Sequence, residues 1–291
     1  MKIFASDLGF PEAPVLLPDE NFLFVEMEPD KGCVTWISKD GASRRIVAKT
    51  GRPNGLAQDR NGFIWVAETA QRALLKLSLD GEYEAIATNF DGEEFLFLND
   101  LAFGPDGYVY LTDSGIAINE FAPGGELNPD WENLTYDGRV YKIDPGTGEV
   151  DRLDNGIRFT NGLAFDSDGH LYIAETLTGT IFKYLFENGK HTGEKQVFGN
   201  AINPEAPEGI KGPDGMKFGK DGNLYIAVFG QGDVTVLGPD GGVVKRYEAG
   251  GMFPTNLVFG KDGEERIYVT EVETGTVRII DVGTDGLPLH S

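Results

Sequence analysis

The sequence contains few of the residues that build disulfide frameworks, zinc centres or surfaces for polyanions. Its 291 residues include one cysteine and three histidines, and 25 basic residues stand against 47 acidic ones, giving a net charge of −22. One cysteine cannot form an internal disulfide, which favours a reducing compartment, so we expect a cytoplasmic protein. Because a polyanion of this strength repels phosphate backbones and anionic lipids, we expect neither nucleic acid nor membrane as a partner.

Long hydrophobic runs are also absent. Residues 1–7 do not form the extended apolar segment of a signal peptide, and no stretch approaches transmembrane length. The composition therefore suits a soluble protein, and we expect a monomer or a small homo-oligomer.

Glycine, by contrast, is abundant, with 40 residues, many of them in the Asp-Gly and Asn-Gly pairs typical of hairpin turns. Six short frames recur along the chain, and a turn residue follows the first residue of each frame seven positions later. We call the six first residues the lead residues: Glu12, Asn54, Asn99, Asn161, Asp214 and Thr255. The corresponding turns lie at Asp19, Asn61, Asp106, Asp168, Asp221 and Asp262.

Each frame opens a unit of about four short, apolar, strand-like segments. The lead residues are separated by 42, 45, 62, 53 and 41 positions, and three of these spacings suit a four-stranded propeller blade. The sequence therefore predicts an all-β protein, a single six-bladed β-propeller domain over residues 1–291. Because the last unit ends after three strands, we expect residues 2–5 to supply its fourth strand and close the ring.

The longest spacing contains an insertion over about 116–136. It leaves the end of a second strand, which lies on the same face of the ring as the lead residues. We therefore expect a lid-like segment over the lead residues. The alternative is a surface loop packed on its own aromatic side chains.

A repeat superimposes its lead residues, so their oxygen atoms should converge at one end of the central channel. Glu12, Asn99, Asn161 and Asp214 would then offer two carboxylates and two amide carbonyls to one ion. Such a set suits a hard divalent cation, with Ca²⁺ the first choice, whereas Mn²⁺, Mg²⁺ and Zn²⁺ stay open. The scarcity of histidine and cysteine argues against a dedicated zinc site.

A second set of acids stands at the ends of the second strands: Glu26, Glu68, Asp113, Glu175 and Glu271. These acids could cap backbone N–H groups in each blade, or they could crowd the channel with the lead carboxylates. On the second interpretation Asp113 and Glu175, together with Asn54, are candidate substrate contacts.

Eight segments, among them Thr160-Asn161-Gly162-Leu163 and Pro213-Asp214-Gly215-Met216, follow one another along nearly the whole chain. The others span residues 9–14, 52–56, 98–101, 110–113, 144–149 and 255–260. As an ordered set they resemble the gluconolactonase/regucalcin (senescence marker protein) family of six-bladed propellers.

This resemblance implies one catalytic divalent cation, held by Glu12, Asn161 and Asp214. Asn99 would be a further ligand or a substrate contact. It also implies a hydrolase that opens a lactone by attack on a metal-polarised carbonyl, with Asp214 as general base or nucleophile. The alternatives are an organophosphate triesterase or a lyase on the same site, or a calcium-binding propeller without enzymatic activity.

Two departures from the family pattern bear on the substrate. The family run Arg-Phe-Asn-x-x-Asn-Asp reads Glu94-Phe95-Leu96-Phe97-Leu98-Asn99-Asp100, without the substrate-binding arginine, and the family Thr-Asp-Pro reads Thr112-Asp113-Ser114. Together with the apolar side chains in the first run, these changes predict a substrate less polar than a sugar-acid lactone.

Overall fold

Residues 2–291, which the computed structural model describes, form six four-stranded antiparallel sheets and one small hairpin. Blade 1 contains β2 (Pro11–Leu16), β3 (Phe22–Glu26), β4 (Cys33–Ile37) and β5 (Arg44–Lys49). Blade 2 contains β6 (Pro53–Gln58), β7 (Ile64–Glu68), β8 (Ala73–Leu77) and β9 (Tyr83–Ala87), and the hairpin of β10 (Asn89–Phe90) and β11 (Glu93–Glu94) follows it.

The remaining four sheets continue the same order. Blade 3 contains β12 (Leu98–Phe103), β13 (Val109–Asp113), β14 (Gly138–Ile143) and β15 (Val150–Ile157). Blade 4 contains β16 (Thr160–Phe165), β17 (Leu171–Glu175), β18 (Thr180–Glu187) and β19 (Lys190–Asn200). Blade 5 contains β20 (Gly212–Phe218), β21 (Leu224–Phe229), β22 (Asp233–Leu237) and β23 (Val243–Glu248). Blade 6 contains β24 (Pro254–Phe259), β25 (Arg266–Glu271), β26 (Thr276–Asp281) and β1 (Lys2–Ala5).

The first strand of each blade lies against the first strands of both neighbours, and blade 6 contacts blade 1, so the sheets form a closed ring. The predicted six-bladed β-propeller is therefore confirmed. Its predicted closure is confirmed as well, because β1 pairs antiparallel with β26 and places Lys2 opposite Ile279.

Six hydrophobic clusters lie between adjacent blades, and a seventh, formed by Phe97, Ile116 and Phe159, packs against the insertion after β13. Aromatic side chains cross these boundaries: Trp65 meets Phe103 with ring centroids 5.8 Å apart, and Phe22 meets Tyr268 at 4.5 Å. Second strands such as β7 and β13 are buried throughout because blades cover both of their faces. The packing fixes each blade against the next and so fixes the positions of the inner strands.

Every inner strand is irregular at its lead residue. The pairing between first and second strands shifts register at this point in all six blades, for example between Leu98 and Leu101 and between Pro213 and Met216. Such a bulge interrupts the alternation of side chains between the two faces of a sheet. The lead residue and its successor can therefore both turn toward the channel.

The insertion after β13 folds into short helical segments. They are α1 (Ile118–Phe121) and the 3₁₀ turns Pro123–Gly125 and Trp131–Asn133; a further 3₁₀ turn, Thr176–Thr178, follows β17. Phe121 packs against Phe97 and Phe159 of the propeller, with ring centroids 6.3 and 4.7 Å apart. Within residues 2–291 no helix has the length and apolar character needed to cross a membrane.

Candidate metal centre and active site

A cavity of about 270 Å³ opens where the inner strands begin. Five of the seven site residues predicted from the sequence line it: Glu12, Asn54, Asn99, Asn161 and Asp214. Thr176 and Thr255 add hydroxyl groups to its wall. Because these residues come from all six blades, the cavity lies on the axis of the ring.

Hydroxyl groups fix the orientation of two of the asparagines. The Asn99 amide nitrogen donates to Ser114 Oγ at 3.0 Å, and the Asn161 amide nitrogen donates to Thr176 Oγ1 at 3.1 Å. Both hydroxyls in turn donate to backbone carbonyls of the next blade, those of Thr160 and Pro213. With each nitrogen held this way, the carbonyl oxygen on the same amide faces away from its hydroxyl partner. Asn161 Oδ1 is buried without any hydrogen-bond partner.

The hydroxyl positions follow a pattern within the repeat. The blades whose lead residue is asparagine carry Thr69, Ser114 or Thr176 fifteen positions later. The blades led by Glu12 and Asp214 carry Met27 and Phe229 at that distance. A comparison of the six units with one another reveals this pattern from the sequence alone.

Glu12 and Asp214 have fewer partners than a buried carboxylate normally has. Burial raises the pKa of Glu12 well above its usual range, and the negative charges of Asp214 and Asp100 raise it further. The pKa of Asp214 is also raised well above its usual range, by burial and then by Asp100. Among residues 2–291 neither carboxylate forms an ion pair. This arrangement of oxygens favours a cation between them.

Below the lead residues, Asp100 and Asn256 fill the channel. Asn256 Nδ2 donates to Glu12 Oε2 at 3.2 Å, which holds one oxygen of that carboxylate and leaves the other for a ligand. The glycines at the equivalent positions of other blades make room for these side chains. A Cβ at Gly215 would lie 2.0 Å from Asn256 Cγ, and one at Gly55 would lie 2.7 Å from Asp100 Cα. These Asn-Gly and Asp-Gly pairs therefore serve close packing rather than turns.

The residues present fit a hard divalent cation. The donor set is made of carboxylate and amide oxygens, one amide oxygen is buried and unpartnered, and two desolvated carboxylates repel each other. No histidine or cysteine among the described residues lines the cavity, so the set does not resemble a zinc centre.

Asp113 and Glu175, the other two predicted site residues, do not line the cavity. Asp113 accepts hydrogen bonds from the backbone N–H groups of Leu96, Phe97 and Gly115, at 2.8 to 3.0 Å. Glu175 accepts from the N–H of Arg158 at 2.7 Å and from the Thr178 hydroxyl. The structure thus places both acids as backbone caps, the alternative that the sequence left open, and their assignment as substrate contacts is corrected.

A second acidic group lies at a turn on the opposite face of the ring. Ligand atoms of Asp166, Asp168 and His170 lie within 4.8 Å of one another. However, the Asp166 carboxylate already accepts the N–H groups of Asp168 and His170, the Tyr172 hydroxyl and the Lys183 ammonium. His170 Nδ1 accepts from the N–H of Phe186 at 3.1 Å. This group stabilises a hairpin turn and leaves few free ligand atoms.

The rest of the cavity wall is apolar. The apolar lining residues are Phe10, Met27, Phe97, Phe121, Ala122, Leu127, Phe159, Ile210, Phe229 and Val272. Phe121, Ala122 and Leu127 belong to the insertion after β13, which therefore forms part of the wall. Of the apolar residues Phe95, Leu96 and Phe97, only Phe97 reaches the cavity. Phe95 is fully buried and its ring centroid lies 5.0 Å from that of Tyr141, so the expectation that this whole run shapes the substrate site is corrected.

Two of these aromatic residues have unusual backbone conformations. Phe10 and Phe159 each precede a lead residue by two positions and adopt positive φ values of 50° and 66°. Bulky residues rarely adopt this conformation, and such strain concentrates at functional sites. Each residue turns the chain at the entry to its inner strand, where its ring joins the cavity wall.

The sequence profile of the SMP-30/gluconolactonase/LRE-like region matches residues 10–273. The chain belongs to this family. A gluconolactonase from Zymomonas mobilis subsp. mobilis is 27% identical over 282 residues, which cover 91% of this chain and 77% of that protein. A diisopropyl-fluorophosphatase from Loligo vulgaris is 30% identical over 292 residues, covering 93% of this chain and 88% of that enzyme.

Solved structures show the same architecture. A regucalcin from Agrobacterium tumefaciens, described as a calcium-binding protein, superimposes with a TM-score of 0.79 at 17% identity. The alignment covers 100% of this chain and 98% of that one. At this identity the similarity establishes the fold alone, so the chemistry of the site has to be argued from the residues of this chain.

Proposed function

We propose that this protein is a divalent-cation-dependent hydrolase that opens lactones with apolar substituents, and that its cation is Ca²⁺. One observation carries the proposal: Glu12, Asn99, Asn161 and Asp214 present oxygens to a single cavity whose remaining wall is apolar. The family's gluconolactonase members support the reaction class, and the oxygen-only donor set supports calcium.

Glu12, Asn99, Asn161 and Asp214 would hold the cation. When bound, a divalent cation would polarise the ester carbonyl and stabilise the negative charge that develops on its oxygen. Asp214 is partly accessible from the cavity and acts as general base. Its carboxylate takes a proton from water as the water oxygen attacks the carbonyl carbon, and returns it to the ring oxygen when the C–O bond breaks. The product is a hydroxy acid.

The apolar wall selects the substrate. Phe121 and Phe159 lie 4.7 Å apart between centroids, so the insertion after β13 and the entry to β16 together enclose an alkyl or aryl substituent. Burying such a group contributes about 25 cal/mol per Å² of apolar surface. A polyhydroxylated lactone would leave its hydroxyls unpaired against the same wall, which costs affinity. As a lid, the insertion would exclude bulk water during the reaction.

The test compares substrates with and without calcium. Protein treated with a chelator and then supplied with Ca²⁺ is assayed on an aromatic-fused lactone, an alkyl-substituted lactone and glucono-lactone. We expect no turnover without the cation, recovery on its return, and kcat/KM for the apolar lactones at least about tenfold above that for the sugar lactone. Equal or greater activity on the sugar lactone would contradict the substrate class.

Asp214→Asn tests the base. Loss of the Asp214 carboxylate should lower kcat by about 10³-fold or more. Asp168→Asn, the same change at an exposed turn residue, should leave kcat unchanged. Single turnover in ¹⁸O-labelled water separates the two possible roles of Asp214. A general base stays unlabelled, whereas a nucleophilic carboxylate forms a mixed anhydride and acquires the label when water attacks the Asp214 carbonyl carbon and releases the hydroxy acid.

A second reaction, hydrolysis of phosphotriesters, is favoured by the similarity to the fluorophosphatase of Loligo vulgaris, which covers 88% of that enzyme. Adding a phosphotriester and a dialkyl fluorophosphate, which loses fluoride on hydrolysis, to the same panel decides between the two reactions. A kcat/KM above that for every lactone would make the phosphotriester the preferred substrate class of the site.

A further inference from the structure

Lys217 interrupts a ring of small apolar side chains. It stands three positions after the lead residue Asp214, and the equivalent residues of the other blades are Val15, Ala57, Ala102, Ala164 and Val258. Five of these six positions, including Lys217, line a cavity of about 520 Å³ deeper in the channel, beyond the lead residues. Among the six equivalent positions, only that of blade 5 therefore carries a charge.

The Lys217 ammonium is held inside rather than released to solvent. Nζ donates to the backbone carbonyl of Met216 at 3.1 Å, and the side chain is half-buried. Within residues 2–291 Lys217 forms no ion pair. No contacting carboxylate therefore neutralises its positive charge. The charge acts across the channel on the carboxylates of Glu12 and Asp100.

Both carboxylates respond to this charge. Burial raises the pKa of Asp100, and the charge of Lys217 opposes the increase. Lys217 acts in the same direction on Glu12. A nearby positive charge stabilises the ionised form of Asp100, which is only 3% exposed and has no hydrogen-bond partner at Oδ2.

The charges of the channel balance only when Lys217 is counted. Glu12, Asp100 and Asp214 contribute three negative charges when ionised, and Lys217 contributes one positive charge. One divalent cation supplies the remaining two. Without Lys217 the same three carboxylates would be balanced by a trivalent ion.

We propose that Lys217 is the fixed cation of the channel and sets the charge of the ion that the lead residues accept. This inference rests on the cation site of the proposed function. Lys217 is a specificity-determining residue that contacts neither the ion nor the substrate; it acts through the field it exerts on the carboxylates.

The experiment measures the Kd of Ca²⁺ and of Tb³⁺ for the wild type and for Lys217→Met, by calorimetry and by terbium luminescence. Removing the ammonium should tighten binding of both ions. Since Coulomb energy scales with ionic charge, a gain of about tenfold for Ca²⁺ implies about thirtyfold for Tb³⁺. The Tb³⁺ preference should therefore rise about threefold.

Two controls accompany the variant. Lys217→Arg keeps the charge and should keep the wild-type preference. Lys245→Met removes an exposed lysine from the outer strand of the same blade, with the same change in net charge, and should also leave the preference unchanged. If Lys217→Met does not fold, Lys217→Ala replaces it, since alanine occupies this position in three other blades.

The outcomes are distinct. A rise in the Tb³⁺ preference that is confined to the neutral variants of Lys217 supports the assignment. Unchanged Kd values in Lys217→Met, with a wild type that binds calcium, overturn the role of Lys217 and leave the cation site intact. A wild type that binds neither ion overturns the cation site and the role of Lys217 together.

Discussion

The propeller carries two sets of carboxylates, one at the lead positions and one at the ends of the second strands, and their surroundings are opposite. Asp113, at the end of β13, is fully buried and receives three backbone N–H groups. Glu271, at the end of β25, likewise receives the N–H groups of Phe253, Glu273 and Thr274. Glu12 and Asp214, at the lead positions, receive few donors and repel each other.

Burial by itself therefore does not mark a functional acid. The acids at strand ends repeat in five of the six blades because each blade needs its turn capped, and their charge is satisfied locally. The lead residues change from blade to blade because one ligand needs unlike donors. An unsatisfied carboxylate among dissimilar neighbours is the feature that indicates a site.

The largest expected effect comes from a strand-end acid. Asp113→Ala leaves three buried N–H groups unpaired and should lower the free energy of unfolding by about 3–5 kcal/mol. Urea denaturation, in chelator and at saturating Ca²⁺, measures this loss of stability. The loss should be equal in the two conditions. A loss that calcium abolishes would place Asp113 in the cation site and remove the distinction between the two sets.

An intermediate effect is expected from pH in metal-free protein. The folded pKa values of Glu12 and Asp214 lie above their unfolded values. The stability they contribute is therefore complete below the ordinary carboxyl range and is lost as pH rises through the folded values. We therefore expect metal-free protein to become less stable as the pH rises from acidic to neutral.

The Tm measured against pH, in chelator and in Ca²⁺, reports this loss. Calcium should abolish it, and Glu12→Gln should reduce it in chelator, whereas Glu187→Gln, at an exposed position, should not. A metal-free Tm that rises between acidic and neutral pH would show that the lead carboxylates are as well satisfied as those at the strand ends.

The smallest expected effect concerns ligand orientation. Ser114→Ala removes the hydroxyl that holds the Asn99 amide, and calcium affinity should fall about tenfold. Thr69→Ala is the matched control: its hydroxyl also donates to the next blade, at Leu98 O, but receives no hydrogen bond from Asn54. Ser114→Thr should restore affinity. Equal losses in Ser114→Ala and Thr69→Ala would assign the hydroxyls to blade packing alone.

The ring and its closure could be predicted because the pattern of strands and turns is local in the sequence and recurs in all six units. The set of lead residues could be predicted for the same reason, and five of the seven predicted site residues line the cavity. The positions of Asp113 and Phe95 could not be predicted, because only the partners of a side chain decide whether it caps, packs or faces a cavity. The role proposed for Lys217 could not be predicted, because it depends on the five equivalent residues of the other blades, which lie far away in the chain.

The pairing of β1 with β26 also orders events during folding. Residues 2–5 are made before the other strands of the ring, yet their partner strand at 276–281 is made more than 250 residues later, so the ring stays open until the last blade is complete. The four proposed ligands come from blades 1, 3, 4 and 5 and can converge only as the ring closes. Binding of the ion would then require a completely folded ring, and a chain that is incomplete or has lost its closure would not retain the ion.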